Sequence, residues 1–121
     1  ILCNSPIFAE PIIELMRDAG ILSTFVPKNT EALETITRAV DIVVTAVGDP
    51  HFLTTNMVKP SGVVIDVGIT KVNNKTLGDA SPELMGYTGF LSPVPGGVGP
   101  LTVAYLLLNV IKAKEVQERD V

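Results

Sequence analysis

The chain of 121 residues is poor in the residue types that carry most metal and covalent chemistry. It has one cysteine, Cys3, so an internal disulfide and a Cys-rich zinc site are both excluded. It has one histidine, His51, which excludes most His-based metal cages. Tryptophan is absent, and aromatic residues are 5% of the chain. Charged residues are 18%, below the roughly 25% usual for soluble domains. Lys and Arg number 9 against 13 Asp and Glu, giving a net charge of −4 with no basic block, which argues against a nucleic-acid partner. The longest apolar stretch, Val103 to Val110, is interrupted by Asn109 and falls far short of the ~20 residues of a membrane span. No membrane partner and no signal peptide are expected.

What remains is hydrophobic: 46% apolar residues and a mean hydropathy of +0.40, too apolar for a disordered chain. The length suits one domain with its own core. The low charge suggests faces that something else covers. The chain opens on Ile1-Leu2, the tail of a strand, and is read as a piece of a longer, cytoplasmic polypeptide.

Apolar segments alternate between strand and helix periods. Ile12, Leu15, Met16 and Ala19 recur at helical spacing, with Pro11 in the first turn and Gly20 as the stop. Ser23 to Val26 reads as a short strand. A helix follows over Thr30 to Val40, capped by Asn29 or Thr30. Asp41 to Val47 and Val63 to Val67 are continuous apolar runs, the pattern of strands buried on both faces in a parallel sheet. Leu53 to Met57 reads as a short helix, Asn73-Asn74 as a hairpin turn and Tyr87 to Leu91 as a last strand. The closing helix runs from Leu101 to about Glu118. This order gives an α/β domain: a doubly wound, mainly parallel sheet with helices on both faces.

In such a sheet the ligand crevice lies outside the carboxyl ends of the strands. Four strand-to-loop junctions converge there: Cys3-Asn4-Ser5, Val26-Pro27-Lys28, Val47-Gly48-Asp49 and Val67-Gly68-Ile69. The segment Pro95-Gly96-Gly97-Val98-Gly99-Pro100 is the strongest signal. Five of its six residues are Gly or Pro, more than an ordinary turn needs, and Thr102 is placed in the first turn of the following helix. Cys3, Met16, Met57 and Met85 read as core, His51 as solvated, and Asp66 and Asp79 as turn caps beside the crevice. No acid–base pair, triad or metal set can be assembled, so no catalytic residue and no metal ligand is assigned.

The strings Val63-Val64-Ile65-Asp66-Val67-Gly68-Ile69, Gly78-Asp79 and Pro93 through Ala104 closely resemble the bifunctional methylenetetrahydrofolate dehydrogenase/cyclohydrolase family. Ser5 with Pro11, Asp41-Ile42-Val43-Val44, Val47-Gly48-Asp49-Pro50 and Lys59-Pro60 extend the match from Ile1 to about Lys114. The resemblance implies that residues 1–121 are the carboxyl-terminal, Rossmann-like NAD(P)-binding domain, with the first strand truncated. The amino-terminal folate and catalytic domain is then absent from the chain, and the folate substrate binds through it. The implied cofactor is NADP, with NAD possible, and the implied assembly a homodimer. Cofactor-binding positions carried over are Asn4, Ser5, Ile7, Lys28, Ala46, Val47, Gly48, Val67, Gly68, Ile69, Gly99 and Thr102. Pro95 and Gly96 border the folate.

The departures fall in the phosphate-binding turn. Where the family has Gly-Arg-Ser and Val-Gly-x-Pro, this chain has Cys3-Asn4-Ser5 and Phe8-Ala9-Glu10-Pro11. Two glycines and an arginine are replaced, and Glu10 is expected in the first helical turn, against a bound phosphate. Weak NADP binding is therefore expected, improved by Cys3→Gly, Asn4→Arg, Ala9→Gly together. Lys28 restores some positive charge, and with no acid ending the second strand NADP is the favoured cofactor. The competing reading is a degenerate, non-catalytic domain kept for assembly or regulation.

Overall fold

The computed structural model describes residues 1–119. Strand β1 (Leu2–Cys3) leads into helix α1 (Pro6–Asp18), and helix α2 (Leu33–Ala39) precedes strand β2 (Ile42–Ala46). Strand β3 (Val63–Asp66) is followed by a hairpin of β4 (Thr70–Val72) and β5 (Lys75–Leu77). Strand β6 (Phe90–Leu91) and the long helix α3 (Val98–Arg119) complete the chain. The main sheet has the order β1-β2-β3-β6, parallel throughout. Val26 adds a parallel bridge to Leu2 on the outer side of β1, where a full strand was expected. Counting that bridge, the chain runs outward from β1 in both directions. The strand order reverses between β1 and β2, which is the switch point where such sheets bind ligands.

The core forms where the continuous apolar runs meet: Leu2, Val43, Val47, Leu53, Val58, Val64 and Leu84 are all buried in one cluster. β2 and β3 pair over four registers, Ile42 with Val63 through Thr45 with Asp66. The Asn73-Asn74 turn is as expected. Both residues take positive φ, 48° and 65°, the geometry of a two-residue hairpin that asparagine tolerates.

Several expectations are corrected. α1 starts at Pro6, so Pro6 takes the N-terminal place assigned to Pro11, and Pro11 lies inside the helix. Lacking an N–H, Pro11 leaves the Ile7 carbonyl without its helical donor. The first turn of α1 holds no acid, because Glu10 lies beyond it. The helix ends as expected at Gly20, with Ile21 N–H reaching Met16 O at 2.8 Å and Gly20 N–H reaching Arg17 O at 2.9 Å. Neither Asn29 nor Thr30 caps α2. Ala32 does, at φ 56°, while the Thr30 hydroxyl bonds Pro27 O at 2.7 Å. α3 begins at Val98, three residues earlier than expected, which moves Thr102 past its first turn. Met85 is exposed rather than core, whereas Met57 is buried.

α3 differs from the other two helices, which bury Ala9 and Leu33 with Thr37. None of its residues is buried, and Leu101, Val103, Tyr105, Leu106, Leu107, Leu108, Val110 and Ile111 are all exposed. Among the described residues no helix is long and apolar enough to cross a membrane.

Candidate functional site

The carboxyl ends of β1, β2 and β3 carry the predicted junctions to one edge. At the switch point Asn4 Nδ2 donates to Val47 O at 2.7 Å and ties the first turn to the loop after β2. Ser5 caps α1 with extended backbone, φ −139° and ψ 130°, and its hydroxyl makes no capping bond. Ile7 projects from the first turn, 80% exposed. Cys3 is buried, with Sγ against Ser5 O at 3.3 Å, a small core residue rather than a nucleophile. Ala9 is likewise fully buried. It packs inside α1 and is not at its start, so Ala9→Gly would remove a packed methyl rather than clear a phosphate site.

The loop after β2 is held from within by one carboxylate. Asp79 accepts from the Thr45 hydroxyl at 3.0 Å, Val47 N–H at 2.6 Å and Asp49 N–H at 3.0 Å. The loop after β3 is held by another. Asp66 accepts from Gly68 N–H at 2.9 Å, Asp79 N–H at 3.1 Å and Ala80 N–H at 2.8 Å. Both carboxylates are buried, and among the described residues no cation pairs with either. Burial pushes the Asp66 carboxyl above its ordinary value, with the nearby Asp79 adding to the rise, and its three N–H donors oppose both. Gly68 lies so close to the Asp79 carboxylate, and Gly78 to that of Asp66, that a Cβ at either would overlap it. Ser92 extends the network, accepting from Asp66 N–H at 2.8 Å just before the Gly/Pro-rich loop. The turn-capping expectation holds for Asp66, which accepts from Gly68 N–H two residues on, whereas Asp79 accepts only from Thr45, Val47 and Asp49, far away along the chain. What spacing could not reveal is that they are buried together and join three loops.

Facing this latch is a cavity of about 240 Å³ lined by Val67, Ile69, Pro95, Gly96, Gly99 and Thr102 among others. Six predicted site residues thus line one concavity. Thr102 does not offer a free helix-end group there: its hydroxyl bonds Val98 O at 3.0 Å. Gly97 is fixed by packing, since a Cβ on it would overlap Pro93 O, but nothing lies within 4 Å of a Cβ built on Gly99. Gly99 is itself among the residues that line the cavity. Ala46, Val47 and Gly48 form the neighbouring lip, Gly48 with φ 69° and its carbonyl accepting from the Thr70 hydroxyl at 3.3 Å. A larger cavity, about 430 Å³, lies at the opposite, amino ends of the strands beside Ile1, Leu22, Ile36 and Ile42. Its lining is mostly apolar, with Ser23, Thr24, Thr37 and Asp41 among it, and includes none of the predicted site residues.

Lys28 is at the outer end of the crevice. Its Nζ lies 3.2 Å from Asp49 Oδ2 and 5.6 Å from the Phe52 ring centroid. No acid ends the segment at Val26, as expected, but one arrives beside Lys28 from the loop after β2. Among the described residues no group of three or more His, Cys, Asp and Glu is placed to hold a metal.

A parallel sheet with a switch point, glycine-lined strand ends and a cavity bounded by a Gly/Pro loop defines a dinucleotide-binding domain of the Rossmann type. The model of the family described as tetrahydrofolate dehydrogenase/cyclohydrolase, NAD(P)-binding domain, matches residues 1–118, and the chain belongs to that family. The bifunctional protein FolD of Thermoplasma acidophilum is 42% identical over 121 residues, spanning 99% of this chain and 44% of that protein. FolD of Campylobacter hominis is 44% identical over 115 residues, 93% of this chain and 40% of that protein. The solved T. acidophilum methylenetetrahydrofolate dehydrogenase/cyclohydrolase superposes with a TM-score of 0.91 at 42% identity, over 98% of this chain and 44% of that one. A Trypanosoma brucei methylenetetrahydrofolate dehydrogenase-cyclohydrolase, solved with NADP cofactor and an inhibitor, gives a TM-score of 0.69 at 30% identity, over 85% of this chain and 48% of that one. The chain thus spans under half the length of these relatives.

Proposed function

We propose that this chain is the cofactor-holding domain of an NADP-dependent methylenetetrahydrofolate dehydrogenase/methenyltetrahydrofolate cyclohydrolase that interconverts one-carbon tetrahydrofolates. The observation that carries this reading is the cavity between the β3 loop and the Pro95–Thr102 segment, at the carboxyl edge of the sheet. A nicotinamide cofactor laid there meets Val67, Ile69 and Gly99 at one end. Toward the other it meets the turn Asn4-Ser5-Ile7, the lip Ala46-Val47-Gly48 and Lys28. Gly68 supports that surface by backing onto Asp79. Pro95 and Gly96 border the folate. The cofactor would supply the hydride acceptor when bound, and the chain's part is to bind and orient it.

The residues for proton transfer and most of the folate pocket belong, on this reading, to an amino-terminal domain outside this chain. The exposed apolar residues of α3 are the surface such a domain, or a second copy in a homodimer, would cover. A cytoplasmic location goes with the same reading.

A second reading, a degenerate domain kept for assembly or regulation, is favoured by one feature. Asn4 has no charge to offer a pyrophosphate, and its Nδ2 already donates to Val47 O. Calorimetry with NADP and NAD on the 121-residue chain separates the two. Saturable binding, even in the range of hundreds of micromolar, supports the cofactor domain. No heat at millimolar ligand supports the degenerate one. The purified chain is expected to show no methenyltetrahydrofolate hydrolysis above the buffer rate, and measurable turnover would overturn the assignment of proton transfer to another domain.

A further inference from the structure

NADP and NAD differ only at the adenosine 2′ position. In a doubly wound sheet that position faces the end of the strand reached by the first crossover, where an acid accepts a 2′-hydroxyl and a cation meets a 2′-phosphate. Here that strand is the segment bridging through Val26, and Lys28 follows it by two residues. Lys28 is not alone. Asp49 reaches it from the loop after β2, with Oδ2 3.2 Å from Nζ. The Asp49 backbone is itself anchored, its N–H donating to the buried Asp79 carboxylate at 3.0 Å. Lys28 packs its ammonium over Phe52 on the same side. The two charges therefore meet at a place fixed by the fold, although both side chains remain partly open to solvent, 33% for Lys28 and 48% for Asp49.

An ion pair this exposed contributes little to folding. Its weight falls instead on whatever ligand arrives beside it. We propose that Asp49 is a specificity-determining residue. By occupying Lys28 it opposes the 2′-phosphate of NADP and narrows the preference that the lysine alone would give. This rests on the reading that the crevice holds a nicotinamide cofactor. A 2′-phosphate carries close to two negative charges. To reach Lys28 it displaces the Asp49 carboxylate, then lies within a few ångströms of it. A 2′-hydroxyl needs neither step. Among the described residues the one side-chain bond of Asp49 is made through Oδ2, which leaves Oδ1 as an acceptor to which a ribose hydroxyl can donate. Discrimination by a built-in repulsion is a common route to specificity.

The test uses the whole 121-residue chain and ligands that isolate the adenosine end: adenosine 2′,5′-bisphosphate against AMP, then NADP against NAD, by calorimetry at low salt. Melting curves check that Asp49→Asn and Lys28→Ala remain folded. Asp49→Asn should tighten the 2′-phosphorylated ligand of each pair about tenfold while leaving AMP and NAD unchanged or weaker, the sign expected when a like charge is removed. Lys28→Ala should loosen only the 2′-phosphorylated ligands. A general structural effect would move both members of a pair alike, so the ratio is the decisive readout. If the parent binds both cofactors and Asp49→Asn moves their ratio by less than about twofold, the role given to Asp49 is overturned and the cofactor reading stands. If the parent binds neither cofactor at millimolar concentration, both fall together.

Discussion

On the β2–β3 side of the crevice, two buried carboxylates take six hydrogen bonds from backbone N–H groups and one hydroxyl. On the β1 side the corresponding turn is held by the Asn4 bond to Val47 O, the weak Cys3 Sγ contact with Ser5 O and the exposed Lys28–Asp49 pair. The first side is rigid because its polar groups are buried and paired, and a buried group that loses its partner is costly. The second is loosely held, so its residues are free to differ at small cost to the fold. The family's glycines and arginine are replaced on the loose side, in the phosphate-binding turn, while the strings that resemble the family most closely lie on the rigid side.

That contrast is sharpest in stability. Asp79→Ala strands the Thr45 hydroxyl and the Val47 and Asp49 N–H groups at once, at about 1–3 kcal/mol for each buried donor left unpaired. We expect a loss of about 3 kcal/mol or more in urea unfolding, enough to leave a small domain marginal. Gly68→Ala should behave similarly, since its methyl must displace the same carboxylate. Asn4→Ala, on the loose side, should cost about 1 kcal/mol. Comparable losses for Asp79→Ala and Asn4→Ala would erase the distinction.

A smaller effect separates packing from ligand binding within the Gly/Pro loop. Gly97 is required by the close approach of Pro93 O, whereas Gly99 meets nothing within 4 Å. Gly99→Ala should therefore leave the fold unharmed, or stabilise α3 by roughly 0.5–1 kcal/mol through helix propensity. If Gly99 is kept for a ligand's close approach, the same variant should weaken NADP binding about tenfold, a change of ~1.4 kcal/mol. Melting and calorimetry on one sample decide it. Unchanged binding would return Gly99 to the role of an ordinary turn residue.

The sequence made the sheet legible because its strands are continuous apolar runs, and Val43, Val44 and Val64 are indeed buried. It misplaced helix starts where proline is ambiguous: Pro6 and Pro11 each suit a first turn, and the helix begins at Pro6 with Pro11 inside it. It overstated the strand at Val26, where Thr24, Phe25 and Val26 all suit a strand but a single bridge forms. The crevice was legible from glycines and strand ends. Its electrostatics were not, because the partners are far apart along the chain: Asp79 meets Thr45 across 34 positions, and Asp49 meets Lys28 across 21. An Asp two residues before a glycine, as in Asp66-Val67-Gly68, was the one local hint of the latch.

The finest test of the rigid side is its response to pH. Asp66 is raised above its ordinary value of 3.8, chiefly by burial. Between 3.8 and that raised native value, the folded chain keeps a proton that the unfolded chain has released. Stability from this group is then fully present below the unfolded value and is lost as pH rises through the native one. Asp66→Asn cannot ionise, so the difference in melting temperature between parent and variant isolates the contribution. The parent should gain on the variant as pH falls across that window, and lie at its least favourable relative to it near neutrality. The competing force is plain in the geometry: three N–H donors at 2.8–3.1 Å favour the ionised form. A difference that is flat with pH would mean that these donors cancel the burial cost. One that grows with pH would mean they exceed it, and that the latch is a carboxylate held charged by the backbone alone.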